Sequence, residues 1–298
     1  MRLQTIRHAD NRTQAVLATD SRWLPLPATD VGELIRHTEW RGTVTDIRRT
    51  ASADDYLEQG TLPLASVVTS PRKIVCCGHN YRAHIREMGR PEPEYPTLFA
   101  KFADTLAGPH DDIELPDIAR QVDWEAELAL VIGTTCRAVT SAQARDHIAG
   151  YTAANDISVR DWQRRTPQWL QGKAFDATTP LGPAMVTADE IDPADGLPIT
   201  CTVNGEQVQI GFTDDLVFDP AHLVSYISQF TTLAPGDVIL TGTPGGVGAA
   251  AVPPRYLSEG DTITVDIERI GRLRNSIRFL PHDAYITRDK ELAAYVEH

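Results

Sequence analysis

VDWEAELALVIG, residues 122–133, is the stretch that decides the fold. Its apolar run is typical of a strand that enters the core, and the alternation of side chains along a strand places Glu125 and Glu127 on one face. Two such carboxylates repel each other, and burying an unpaired carboxylate is costly. A divalent cation removes both difficulties, because Mg²⁺ and Mn²⁺ take oxygen ligands. The alternative is a solvent-facing edge strand, on which Glu-x-Glu is also common.

A third acid, Asp156, favours the cation over the edge strand. It follows a small apolar strand predicted over residues 150–154 and is therefore placed where that strand ends. Three oxygens from two strands leave open coordination positions for water and a chelating substrate. Asp123 also belongs to the acidic stretch, but it lies at the strand entrance, and we do not expect it to be a ligand.

The segment GHNYRAHIREMG, residues 78–89, contains a second candidate group. One or two helical turns are predicted over residues 82–88, and positions three apart on a helix share a face, so His84 and Glu87 can form a hydrogen bond. A carboxylate that orients an imidazole makes it a better general base. The alternative is an ordinary exposed helical pair. The prolines and glycine that follow indicate a loop, and loops of this length are often lids.

Composition excludes several classes of protein. The chain has 298 residues and a formal net charge of −13, which disfavours nucleic acid and membrane as partners. Its four cysteines form no Cys-x-x-Cys pair, so we expect neither a disulfide scaffold nor a zinc ribbon. We expect a cytoplasmic location, where cysteines stay reduced. The N-terminus has no apolar core of the signal-peptide type, and no run is long enough to span a membrane.

The pattern along the chain predicts an α+β fold that is mostly β. Residues 1–69 are predicted to form a small N-terminal domain, and residues 70–298 the catalytic domain. Strands are predicted over residues 14–18, 41–47, 72–77, 97–103, 124–132, 150–154, 198–203, 237–241 and 262–267. Helices are predicted over residues 141–148 and 220–230, an acidic amphipathic stretch over residues 31–40, and a further amphipathic helix over residues 289–296. Regular βαβ alternation is missing, which disfavours a doubly wound sheet.

Taken together, the motifs resemble the fumarylacetoacetate hydrolase family, in its acylpyruvase or 2-hydroxyhepta-2,4-diene-1,7-dioate isomerase branch. The resemblance covers about residues 71–282, and its segments occur in consistent order. These segments are GHNYRAHIREMG (78–89), PTLFAKFADTLAGP (96–109), VDWEAELALVIG (122–133), GYTAANDISVRDWQ (150–163), GKAFDATTPLGP (172–183), VNGEQVQ (203–209) and LAPGDVILTGTPGGVG (233–248). The resemblance implies a mixed β-roll that commonly forms a homodimer.

The resemblance also implies roles for single residues. Glu125, Glu127 and Asp156 correspond to the metal ligands, with Mg²⁺ or Mn²⁺ as the cofactor and Ca²⁺ as an occupant expected in crystals. The implied catalytic residues are His84 and Glu87, the water-activating dyad on a lid, and Lys173, the active-site lysine. The implied substrate-binding residues are Tyr81, Lys101, Arg160, Gln163 and Thr243.

The environments of the two lysines, Lys173 and Lys101, can also be predicted from the sequence around them. Lys173, beside a carboxylate cluster, is expected to remain charged and to balance it, the alternative being a surface lysine. The Lys101 ammonium is expected to reach a polar partner or to extend to the surface.

The expected substrate is a small 2-oxo or 2,4-dioxo carboxylate. The presence of the His-x-x-Glu pair favours hydrolysis of a C–C bond in a 2,4-dioxo acid, such as an acylpyruvate. The same metal site also supports decarboxylation of an oxaloacetate-like acid, or isomerisation or tautomerisation of a hydroxymuconate-like acid. A binding protein without catalysis is a further alternative. The Gly-x-Ser-x-Gly motif of serine hydrolases does not occur.

Overall fold

A computed structural model describes residues 1–284, so the helix predicted over residues 289–296 lies outside the described residues. In chain order, the strands are β1 (Arg2–Arg7), β2 (Thr13–Ala18), β3 (Arg22–Pro25), β4 (Leu57–Glu58), β5 (Ile74–Gly78), β6 (Thr97–Lys101), β7 (Leu106–Ala107), β8 (Ile113–Pro116), β9 (Val122–Asp123), β10 (Ala126–Ile132), β11 (Ile148–Asn155), β12 (Ser158–Val159), β13 (Thr179–Thr187), β14 (Pro198–Val203), β15 (Glu206–Phe212), β16 (Val238–Leu240), β17 (Thr262–Ile267) and β18 (Gly271–Leu280). The helices are α1 (Val31–Arg36), α2 (Trp40–Thr50), α3 (Arg82–Glu87), α4 (Ser141–Ala144), α5 (Arg160–Gln163), α6 (Leu170–Lys173) and α7 (Pro220–Phe230).

The strands form one large mixed sheet and two smaller sheets. The large sheet has the order β4-β3-β2-β1-β13-β11-β10-β16-β5-β6, with β7 added beside β13. A five-stranded sheet has the order β15-β14-β17-β18-β8, and β12 pairs with β9. The predicted fold class, α+β and mostly β, is confirmed. None of the helices within residues 1–284 has the length and apolar character needed to cross a membrane.

Strand β10 lies in the middle of the large sheet, between β11 and β16. All seven of its residues are buried. Leu128 and Leu130 pack into one hydrophobic core and Ala129 and Val131 into another, as the period of two in a strand requires. The edge-strand alternative for this acidic stretch is therefore wrong, and Glu127 enters the interior from a strand that is covered on both faces.

The N-terminal strands continue the large sheet. Strand β1 pairs antiparallel with β13, with Leu3 opposite Met185. Side chains from residues 1–69 share a core with β10 and β16. Leu3 and Leu34, for example, belong to the same hydrophobic cluster as Leu240 of β16. The boundary predicted between residues 69 and 70 is therefore not marked by a break in the sheet or in the core.

One predicted element is wrong. Residues 41–47 were expected to form a strand, but they lie in helix α2. Trp40 and Val44 are buried, and Ile47 packs against the same core. These positions are four and three residues apart, which is the spacing of one helical face, and Arg48 and Arg49, which follow them, are exposed.

Leu3→Ala tests whether residues 1–69 are integral to the fold. Leu3 is fully buried in the core shared with β10, so we expect the free energy of unfolding to fall by about 2–5 kcal/mol. Urea unfolding followed by circular dichroism measures the change. Leu170→Ala, at a residue that is 39% exposed, is the matched control and should change stability little; an equally small effect at Leu3 would contradict the shared core.

Candidate metal centre

Strands β10 and β11 bring three carboxylates together. They pair antiparallel with Ala126 opposite Asn155, and the Asp156 N–H donates to the Glu125 carbonyl oxygen at 2.9 Å. This register places Glu125, Glu127 and Asp156 side by side, with one carboxylate oxygen of each lying within 4.8 Å of the others. All three residues are buried.

Three cations contact two of these carboxylates. The Lys173 Nζ donates to Glu125 Oε2 and to Asp156 Oδ2, both at 2.7 Å. The Lys101 Nζ donates to Asp156 Oδ1 at 2.5 Å, and the Arg160 Nη1 lies 2.7 Å from Glu125 Oε1. Lys173 is buried against the cluster, so the surface-lysine alternative is wrong, and Lys101 likewise has a buried polar partner.

The two glutamates therefore have opposite electrostatic environments. Burial raises the pKa of Glu125, but the charges of Lys173 and Arg160 outweigh it and bring that pKa to about 2. Burial raises the pKa of Glu127 well above its usual value, and the charges of Asp156 and Glu125 raise it further. Among the described residues, the Glu127 carboxylate accepts a hydrogen bond from the Gly242 N–H at 2.7 Å and contacts no cation.

This donor set fits a divalent cation. Carboxylate oxygens are the ligands that Mg²⁺ and Mn²⁺ prefer, and an ion between the three acids would compensate the charge of Glu127. The balance of buried charge also favours a bound cation, because four buried acids face only three buried cations among the described residues. The acids are Asp123, Glu125, Glu127 and Asp156, and the cations are Lys101, Arg160 and Lys173. A divalent ion would make the cluster net positive, which suits an anionic substrate.

Asp123 has a structural role. Its carboxylate accepts hydrogen bonds from the Arg160 Nε at 2.8 Å, the Gly248 N–H at 2.7 Å and the Ala249 N–H at 2.9 Å. It lies outside the cluster that could hold a metal ion. Asp123 thus positions Arg160 against Glu125 and attaches the glycine-rich loop after β16 to the acidic stretch.

The predicted hydrogen bond between His84 and Glu87 on α3 is present. His84 Nδ1 lies 2.9 Å from Glu87 Oε2, and the Gly246 N–H donates to the Glu87 carboxylate at 3.2 Å. Gly246 has a φ of +96°, and a Cβ there would lie 2.0 Å from the Val208 carbonyl oxygen, so only glycine fits this turn. Helix α3 therefore rests on the glycine-rich loop, with its imidazole oriented by a carboxylate.

A cavity of about 840 Å³ connects the carboxylate cluster with the His84–Glu87 pair. Its wall includes His84, Glu87, Glu125, Glu127, Arg160, Gln163, Lys173 and Thr243. Gln163 Oε1 accepts a hydrogen bond from Arg160 Nη1 at 3.0 Å, and Thr243 Oγ1 accepts one from Gln209 Nε2 at 2.8 Å. Most of the predicted site residues thus face one space.

Two predicted substrate contacts lie behind this wall. Tyr81 is fully buried, and its hydroxyl has no hydrogen-bond partner among the described residues. Lys101 is bound to Asp156. Burial raises the pKa of the Tyr81 hydroxyl, and the charge of Glu127 raises it further. Direct contact of either side chain with substrate stays a prediction.

Sequence reasoning missed several residues that position the site. The Asn80 amide joins α3 to the sheet, because its Nδ2 donates to the carbonyl oxygens of Phe218 and Thr241. Gln209 Oε1 accepts from the Ala126 N–H at 3.0 Å, so one side chain links β10 to Thr243. Both residues lie in motifs that are visible in the sequence, but nothing in the spacing of those motifs tells which strand each amide contacts.

The matching region of the chain decides its family. Residues 73–278 match the family described as fumarylacetoacetate (FAA) hydrolase C-terminal. This chain belongs to the fumarylacetoacetate hydrolase family. The match contains every residue of the carboxylate cluster and of the α3 pair, so the family resemblance predicted from the motifs is confirmed.

Named relatives in this family have different activities. Human oxaloacetate tautomerase FAHD2A, mitochondrial, is 44% identical over 238 residues, which cover 79% of this chain and 76% of that protein. Fumarylacetoacetate hydrolase from Exiguobacterium antarcticum superimposes with a TM-score of 0.81 at 34% identity, over 94% of this chain and 100% of that one. 5-carboxymethyl-2-hydroxymuconate delta-isomerase from Mycobacterium smegmatis gives a TM-score of 0.76 at 34% identity, over 94% and 99% of the two chains.

Glu127→Gln separates metal binding from stability. The substitution removes the charge that no cation compensates, so we expect the metal-free protein to gain at least about 1 kcal/mol of stability, and the affinity for Mn²⁺ to fall at least about tenfold because a carboxylate ligand is lost. Urea unfolding and calorimetry with Mn²⁺ measure the two effects. Glu268→Gln, in the exposed turn after β17, is the control; unchanged Mn²⁺ affinity in the Glu127 variant would contradict the ligand assignment.

Proposed function

We propose that this protein is an enzyme that interconverts the keto and enol forms of a small 2-oxo dicarboxylic acid such as oxaloacetate. The observation that carries the proposal is the imidazole–carboxylate pair of His84 and Glu87, which faces the same cavity as the buried carboxylate cluster. The 44% identity to a protein named oxaloacetate tautomerase favours this reaction over hydrolysis, which the motifs alone had favoured.

Glu125, Glu127 and Asp156 would hold the Mg²⁺ or Mn²⁺ ion. When bound, such an ion supplies a Lewis acid that polarises a 2-oxo group and makes the neighbouring carbon more acidic. Lys173 keeps its charge in this cluster: burial lowers its pKa, but the charges of Asp156 and Glu125 outweigh that effect and raise it. Lys173 can therefore hold Glu125 and Asp156 in place and still face an anionic substrate.

His84 is the residue that moves the proton. In the keto-to-enol direction it takes a proton from the carbon next to the 2-oxo group, the C–H electron pair becomes the C=C bond, and the C=O π pair moves to the oxygen, which takes a proton from water. The imidazolium then gives its proton to the hydroxide that remains, which restores the water molecule. In the reverse direction hydroxide formed from water takes the enol proton, and the imidazolium gives its proton to carbon. Glu87, 2.9 Å from Nδ1, stabilises the charged imidazole and fixes its orientation. The Thr243 hydroxyl and the Gln163 amide line the same cavity and would bind the substrate carboxylate.

His84→Ala tests this assignment. We expect kcat for tautomerisation of oxaloacetate, followed by the ultraviolet absorbance of the enol, to fall about 100-fold or more while KM changes little. The Mn²⁺ affinity should not change, because His84 is not one of the three acids. Treatment with EDTA should abolish activity in the unaltered protein, and Mg²⁺ or Mn²⁺ should restore it. Full activity in the His84 variant, or after metal removal, would refute the mechanism.

Hydrolysis of a 2,4-dioxo acid is the second candidate. The His84–Glu87 pair serves this reaction equally well, since the same general base can activate a water molecule for attack on a distal carbonyl. A relative of similar fold that is named fumarylacetoacetate hydrolase supports it as well.

Product analysis separates the candidate reactions. With Mg²⁺ present, an acylpyruvate and oxaloacetate are each offered as substrate and their products are followed by mass spectrometry. We expect oxaloacetate to equilibrate between its keto and enol forms with unchanged mass, faster than in buffer. Pyruvate and a second acid from the acylpyruvate alone would establish hydrolysis instead, and CO₂ release from oxaloacetate would establish decarboxylation.

A further inference from the structure

Three exposed arginines line the cavity. Arg90, Arg164 and Arg165 line the same space as Glu125 and Glu127, in a chain whose formal net charge is −13. Arg82, in the same segment as Arg90, lies 3.6 Å from the Glu92 carboxylate. The hydrogen bond of the Arg90 side chain goes instead to an uncharged group, the imidazole of His79. The positive charge of Arg90 is therefore available to an anion in the cavity.

The contact between Arg90 and His79 fixes the tautomer of the imidazole. Arg90 Nη1 lies 3.0 Å from His79 Nε2, and a guanidinium has only donors, so Nε2 must be the acceptor and Nδ1 must carry the proton. Burial lowers the pKa of His79 to about 4, and the charge of Arg90 lowers it further. His79 is thus neutral at neutral pH and accepts one N–H of Arg90. Within residues 1–284 the other N–H groups of Arg90 have no hydrogen-bond partner, so they can bind a ligand.

His79 is itself held in a restricted position. Its φ of +55° is unusual for a residue with a side chain. Its ring packs edge-on against Trp169, with centroids 5.2 Å apart. A Cβ at Gly78 would lie 2.4 Å from the Trp169 ring, so the preceding glycine is what lets the indole approach. This packing gives His79 a fixed place from which to orient a long arginine side chain that is otherwise exposed.

We propose that Arg90, oriented by His79, binds the distal carboxylate of a dicarboxylic substrate and makes the enzyme selective for dianions. The inference rests on the proposed function for the reacting end of the substrate, which lies at the carboxylate cluster. The cavity of about 840 Å³ leaves room for a second anionic group beyond that end. Guanidinium and carboxylate match each other in charge and in the geometry of two parallel hydrogen bonds. His79 is a positioning residue that acts through Arg90.

Two ligands that differ only at the distal end test the proposal. 2-Oxoglutarate and 2-oxopentanoate have the same number of carbons, and the second has a methyl group where the first has its distal carboxylate. Calorimetry with Mg²⁺-loaded protein should show at least about tenfold tighter binding of 2-oxoglutarate. Arg90→Gln should reduce its affinity to that of 2-oxopentanoate and leave the affinity for 2-oxopentanoate unchanged.

Control variants separate the site from general effects. Arg86→Gln removes an exposed arginine from helix α3, four residues before Arg90, at a residue that does not line the cavity, and should keep the full preference. His79→Asn suits the positive φ and should lower the affinity for 2-oxoglutarate alone. No preference in the unaltered protein, or a preference that survives Arg90→Gln, would overturn the proposal.

The same measurements distinguish this inference from the proposed function. A preference for 2-oxoglutarate that depends on Arg90, in a protein that does not tautomerise oxaloacetate, would refute the proposed function and support the anion site. Tautomerisation of oxaloacetate together with a preference that Arg90→Gln does not alter would refute the anion site alone.

Discussion

Glu127 carries its carboxylate into the interior at the centre of the large sheet, where its neighbours Asp156 and Glu125 are also acids. Mutual repulsion and burial both oppose this arrangement. The surrounding residues compensate Glu125 and Asp156 through Lys173, Lys101 and Arg160 but leave Glu127 without a cation. A divalent ion would compensate Glu127 and make the cluster net positive, and the cluster would then attract the carboxylate of the proposed 2-oxo acid. The proposed metal site and the reaction proposed for it both depend on that electrostatic arrangement.

The fold supplies the rigidity that the cluster needs. Strand β10 is buried on both faces, and its register with β11 sets the separation of the three acids. The glycine-rich loop after β16 touches the acidic stretch through Asp123 and touches α3 through Glu87. The loop thereby links the proposed metal ligands to the proposed general base, although the two groups come from distant parts of the sequence. Gln209 adds a further link between β10 and Thr243.

Much of this arrangement is predictable from sequence because it follows local rules. The carboxylates of VDWEAE sit on one face because strands alternate, and His84 meets Glu87 because helical positions three apart are neighbours. The strand predicted over residues 41–47 was wrong because its β-branched residues favour a strand by propensity, whereas Val44 and Ile47 are three apart, as on one helical face. Trp40, which completes that face, lies just outside the range. The contacts of Asn80 and Gln209 join segments far apart in the chain, and no local pattern encodes them. Arg90 and His79 are only 11 residues apart, but their contact depends on the turns of an irregular segment and not on a helical or strand period.

The central claim is that a divalent cation lies among Glu125, Glu127 and Asp156. Anomalous diffraction from crystals grown with Mn²⁺, recorded on both sides of the manganese absorption edge, tests it most directly. The account predicts one strong anomalous peak at coordination distance from an oxygen of each of the three carboxylates, about 2.2 Å from each. An absent peak, or one that appears only at exposed surface acids while Lys173 alone bridges Glu125 and Asp156, would contradict it.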